Sequence, residues 1–86
     1  MAVVRAFAVE GCSLWFWSCD HEPPHFHVKR TGQWEVKVFF LLDPDEMIVE
    51  LWAERPPARK TLRAITDLAR RHRVELLDQW DEIHNH

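Results

Sequence analysis

The order of apolar patterns along the chain predicts an α+β fold, an antiparallel sheet of about five short strands followed by one long C-terminal helix packed on one face. Three observations carry that expectation. Short apolar or alternating runs, broken by Gly, Pro and Asp, fill the first part of the chain. An uninterrupted stripe at helical spacing fills the rest. Eighty-six residues, 47% of them hydrophobic and including five Trp and five Phe, suffice for one core and one domain over 1–86.

The elements follow in order. Val3 to Val9 alternates loosely and predicts a first strand. Gly11 marks a turn, and Ser13-Leu14-Trp15-Phe16-Trp17-Ser18 predicts a second strand. Cys19-Asp20-His21-Glu22-Pro23-Pro24 interrupts the pattern, because paired prolines cannot donate ladder hydrogen bonds. His25 to Arg30 predicts strand three, and Thr31-Gly32 its turn. Trp34 to Phe40 predicts strand four, with Trp34, Val36, Val38 and Phe40 on one face and Glu35 and Lys37 on the other. Asp43-Pro44-Asp45 turns the chain into strand five, Met47 to Trp52. Pro56-Pro57 opens a helix over 57–84, since the first helical N–H groups lack partners anyway. Leu62, Ile65, Ala69, Leu76, Trp80 and Ile83 share one face of it.

Charge is segregated beneath a net −3. Residues 1–54 hold four Lys/Arg against nine Asp/Glu, residues 55–73 seven against one, and residues 74–86 none against four. On a helical wheel Arg59, Arg63, Arg70 and Arg73 fall within about 80°. They form a basic row suited to nucleic-acid phosphates, to a partner protein, to a second copy of the chain in a homodimer, or to plain solvation. No apolar run approaches the roughly 18 residues of a membrane helix, and Met1 to Arg5 does not resemble the start of a signal peptide. No membrane association and a cytoplasmic location are therefore expected, with Cys12 and Cys19 reduced.

The segment Cys19 to His27 is chemically the densest in the chain. Cys19, Asp20, His21, His25 and His27, with Glu22 among them, are all residue types that can ligate a metal or carry a proton. On a strand, His25 and His27 project to one side with Lys29 beside them, while Phe26 and Val28 face the core. Three readings fit this His-x-His-x-Lys face. It is a hydrogen-bonded polar surface. It is a metal site, with zinc or another divalent transition metal held by His25, His27 and a further ligand from Cys19, Asp20 or His21. Or it is a metal-independent acid–base site, with His25 and His27 moving protons and Lys29 steadying an anionic transition state, as in ribonucleolytic cleavage. Glycine-rich phosphate loops, Cys-x-x-Cys pairs and nucleophile elbows are absent from the sequence.

Asp20-His21-Glu22-Pro23-Pro24-His25-Phe26-His27-Val28 resembles the NPPHxHV-type signature of a small bacterial family known only as domain of unknown function 4160. Pro23, Pro24, His25, His27 and Val28 match that signature, and Glu22 stands where it carries Asn. The stretch from Ala58 to Trp80, with His72-Arg73 and Glu75-Leu76-Leu77, resembles the family's C-terminal helix. The resemblance implies no established activity. It implies a two-gene context of toxin–antitoxin type, hence a partner protein encoded by a neighbouring gene and RNA or DNA as a target.

Overall fold

A computed structural model describes residues 1–84. Five strands form one antiparallel sheet in sequence order: β1 Ala2–Val3, β2 Ser13–Phe16, β3 Phe26–Arg30, β4 Trp34–Val38 and β5 Ile48–Ala53. Short helix α1, Pro44–Met47, precedes β5. Helices α2, Arg59–Arg71, and α3, Arg73–His84, complete the chain.

Strand alternation sets the two faces of the sheet. Leu14, Val28 and Val36 stand in register across β2, β3 and β4, and with Phe16, Phe26 and Val38 they belong to the core cluster. The opposite face carries the row Val3, Trp15, His27, Lys37 and Val49, each residue paired with the next across β1 to β5. Gly11 and Gly32 take φ of 77° and 75°, the left-handed region that glycine enters without steric cost, and close the turns before β2 and β4.

Two expectations are corrected. The first strand is only Ala2–Val3 rather than Val3 to Val9. Beyond it Val4, Phe7 and Val9 still serve the core, but from irregular backbone. Gln79 holds this segment down: its Oε1 accepts from Arg5 N at 3.0 Å, and its Nε2 donates to Val3 O at 2.7 Å. Both polar groups of this buried amide are thereby matched.

The second correction is the C-terminal helix, which is two helices rather than one. The chain bends at His72, with φ −110° and ψ 24°. His72 N–H donates to Leu68 O at 3.0 Å, ending α2, and His72 O accepts from Leu76 N at 2.9 Å, starting α3. A straight helix over 57–84 would run about 42 Å. Strands of four to six residues cover only about a third to a half of that, so an unbent stripe would overhang the sheet. Beside the bend, Arg73 Nε donates to Phe40 O at 2.8 Å and Nη2 to Leu42 O at 3.0 Å. The predicted stripe keeps its face through the bend. Ile65, Ala69, Leu76 and Trp80 are buried, Ile83 packs partly against the core, and Leu62 is half-buried.

Leu76 is fully buried and Val74 is 75% exposed. Leu76→Ala should therefore cost about 2–5 kcal/mol in urea unfolding, with Val74→Ala as a near-neutral control. Equal losses from the two would mean that α3 does not dock through Leu76.

Candidate functional site

The site forms where the segment 17–25 folds back over the start of β3. His27 lies within β3 and His25 just before it. Both are 4% exposed, and their ring centroids are 5.4 Å apart. His27 stacks on Trp15 at 5.4 Å and 17°, while His25 is flanked by Phe39 at 4.9 Å and Trp80 at 5.6 Å. Aromatic walls thus exclude water from the sides of the pair. The Glu22–Pro23 peptide in the segment is cis.

Both histidines turn Nε2 onto the same atom. Asp20 Oδ2 is 3.0 Å from His27 Nε2 and 3.1 Å from His25 Nε2. The outer nitrogens also face oxygens. His25 Nδ1 donates to Pro23 O at 2.8 Å, and His27 Nδ1 lies 3.4 Å from Glu35 Oε2. Two of these four contacts fall short of hydrogen bonds. His25 Nε2 and His27 Nδ1 are buried and lack a hydrogen-bond partner, although a carboxylate oxygen stands nearby.

A neutral imidazole has one N–H and one bare nitrogen. Pro23 O can only accept, so His25 carries its hydrogen on Nδ1 and presents bare Nε2 to Asp20. His27 faces a carboxylate from each nitrogen, so a neutral ring sets its bare nitrogen against Asp20 or Glu35. With both rings neutral, each therefore leaves a lone pair aimed at a carboxylate, which is repulsive where both imidazoles are buried.

Asp20, His25 and His27 offer three ligand atoms within 4.8 Å of one another. Two ligands about 2.1 Å from a tetrahedral ion stand about 3.4 Å apart, close to the two Asp20 distances of 3.0 and 3.1 Å. The outer contacts have the arrangement found behind metal-bound histidines, with one Nδ1 on a carbonyl and the other beside a carboxylate.

The residues singled out from the sequence divide into three groups. His25 and His27 come together. Cys19 and His21 are exposed and line a shallow cleft beside Asp20 and His25, but neither belongs to the cluster of three. Lys29 stands opposite Glu35 on β4, two residues along the strand from His27, and does not line that cleft. On α2, Arg59, Arg63 and Arg70 share the wall of one open groove with Asp45 and Asp67. Arg73 does not join them, because its guanidinium is committed to the carbonyls of Phe40 and Leu42. Sequence reasoning missed the parts played by Glu35 and the Pro23 carbonyl. Glu35 was detectable, since it occupies the outer face of β4 beside the outer face of β3.

These features define a class: a small α+β domain with two histidines and one carboxylate converging at the end of a central strand. Residues 11–81 match the family described as Domain of unknown function (DUF4160), and the chain belongs to that family. No curated protein and no solved structure matches it. Among the described residues no helix is long and apolar enough to cross a membrane.

Both cysteines are free. Burial raises the Cys12 pKa above its ordinary value, and the nearby Arg30 charge opposes that only in part. Cys12 therefore holds less thiolate near neutral pH, whereas Cys19 is exposed. Iodoacetamide at about pH 8 should label Cys19 first, with Cys12 catching up as pH rises. Peptide mapping that finds Cys12 labelled first would contradict this burial.

Proposed function

We propose that the protein is a metal-binding domain whose centre is Asp20, His25 and His27, taking zinc or another first-row divalent ion. The observation that carries the reading is the convergence of His25 Nε2 and His27 Nε2 on Asp20 Oδ2. One divalent ion there accepts both nitrogen lone pairs and neutralises the carboxylate. Both Nδ1–H groups are then free to face Pro23 O and Glu35. The competing solution protonates both rings. That sets two cations with centroids 5.4 Å apart in a site where each residue is 4% exposed, at a cost that burial increases. Two histidines with one carboxylate are a ligand set used by zinc hydrolases and by non-haem iron sites.

Metal-independent ribonuclease chemistry by His25, His27 and Lys29 has less support. The Nε2 atoms that would meet a substrate are turned onto Asp20, and Lys29 lies apart from them.

Untagged protein should carry stoichiometric metal by elemental analysis, and Asp20→Asn and His27→Gln should each lose it. Zn²⁺ at about 100 times its dissociation constant should stabilise the wild type by about 2.7 kcal/mol and should leave Asp20→Asn unmoved. A melting temperature indifferent to Zn²⁺, Fe²⁺, Mn²⁺ and chelator alike would overturn the metal reading.

A second reading concerns partners. It makes the chain one member of a bacterial toxin–antitoxin-type gene pair that binds a partner protein and nucleic acid. Its support is the outer side of α2, where Arg59, Lys60, Arg63, Arg70 and Arg71 are exposed and make no ion pair among the described residues. Binding of labelled RNA and DNA should then weaken steeply with salt. Arg63→Ala/Arg70→Ala should flatten the log–log slope by about 1.8 on duplex DNA, or about 0.9 for each phosphate that is no longer neutralised. No binding at low salt would leave the partner protein alone as the ligand of this surface.

A further inference from the structure

We propose that the cleft beside Asp20 and His25 is an oxyanion site, in which a phosphate or carboxylate group of the ligand occupies the remaining coordination position of the metal and pairs with Lys37. This rests on the metal reading above and goes beyond it by naming the chemistry of what the centre binds.

Three protein ligands leave at least one position of a tetrahedral ion open, the arrangement of working rather than structural centres. Most directions around the three are closed. Trp15 covers the His27 ring, Trp17 meets its side with centroids 6.4 Å apart, and Trp80 backs His25. Space remains on the side where the segment 19–23 faces the end of β4. There Asp20 and His25 share a cleft with Lys37 and Phe39.

Lys37 gives the cleft its preference. It projects from β4 directly opposite His27. It is half-buried and makes no hydrogen bond or ion pair among the described residues. An ammonium partly removed from water gains from an anionic partner. Lysine is moreover a compact charge on a flexible stem, able to follow a small anion. Glu35 is occupied at His27 and Trp52. Glu22 lines the cleft from an exposed position, where water screens its charge. A divalent ion beside one ligating carboxylate and one ammonium leaves the inner cleft positive. Phe39 supplies an apolar wall, against which a charge pair is stronger than in open water.

The test uses the full chain loaded with Co²⁺, whose visible bands report coordination. Inorganic phosphate and acetate are titrated separately into wild type, Lys37→Met and Lys37→Arg, with folding checked by circular dichroism. In the wild type at least one of the two anions should shift the bands saturably, and the tighter one identifies the ligand class. Lys37→Met should weaken that anion by about tenfold or more, while Co²⁺ itself, relieved of a neighbouring like charge, should bind no more weakly. Lys37→Arg should recover most of the loss. Bands that form and ignore both anions would overturn the oxyanion site while leaving the metal centre intact. An anion response identical in wild type and Lys37→Met would overturn it equally. Failure to form any Co²⁺ band in the wild type would remove the metal reading and this proposal with it.

Discussion

A single carboxylate oxygen governs this end of the molecule. Asp20 Oδ2 meets the Nε2 atoms of both buried histidines, and the segment before β3 folds back to deliver it. β3 is the middle strand of five, and its first three residues are buried on both sides, with Phe26 and Val28 at 0% and His27 at 4% exposure. The helices cover one side of it. The other is closed by Trp15, Asp20 and Glu35, which surround His27. A buried polar side chain left without partners costs about 1–3 kcal/mol. Closure of that outer side therefore depends on groups from β2, β4 and the preceding segment arriving together at two imidazoles.

Local pattern revealed much of this in the sequence. Phe26 and Val28 had to face inward, which sends His27 outward. Trp34, Val36 and Val38 did the same for β4, with Phe40 just beyond it, and all four are buried. The helical stripe identified Ile65, Ala69, Leu76 and Trp80 as core. What stayed hidden depends on distance along the chain. The choice of Asp20 over Cys19 or His21 as the third member follows from how the segment turns back, and residue types alone left all three open. The bend at His72 was invisible because the apolar face continues through it. It answers to the length of the sheet, which only the assembled strands define. Arg73 belonged to the basic row on the helical wheel, but the bend carries it to the carbonyls of Phe40 and Leu42.

The bend also divides the charge. Five cations, Arg59, Lys60, Arg63, Arg70 and Arg71, stay on α2, while Glu75, Asp78, Asp81 and Glu82 fall on α3. On a single straight rod these would form one graded surface. With the helix broken at His72 they sit on two separate helices. α3 uses part of its own surface to hold the N-terminal segment, through Gln79 to Val3 and Arg5 and through Glu82 to Arg5. α2 has no comparable duty, and its exposed arginines and lysine remain available.

The two clasps of the fold are therefore of different kinds. Gln79 and Arg73 join residues 74 to 76 and 31 to 33 positions apart, so they fix the global arrangement of helices on sheet. Asp20 and His27 are seven positions apart, and closing so short a loop takes little entropy from the unfolded chain. A cation at Asp20, His25 and His27 would add stability through its bonds and through relief of the facing lone pairs, with little contribution from chain closure. Its removal would loosen the segment 19–25 and the outer side of β3 while the helices keep their hold on the inner side. In small zinc-dependent domains where the ion is the core, loss of metal is loss of the fold. Here most of the aromatic and aliphatic core lies on the other side of the sheet, and only Trp80 of that core touches the site, against His25. A metal held there would then exchange a ligand on the Lys37 side with little disturbance of the inner core.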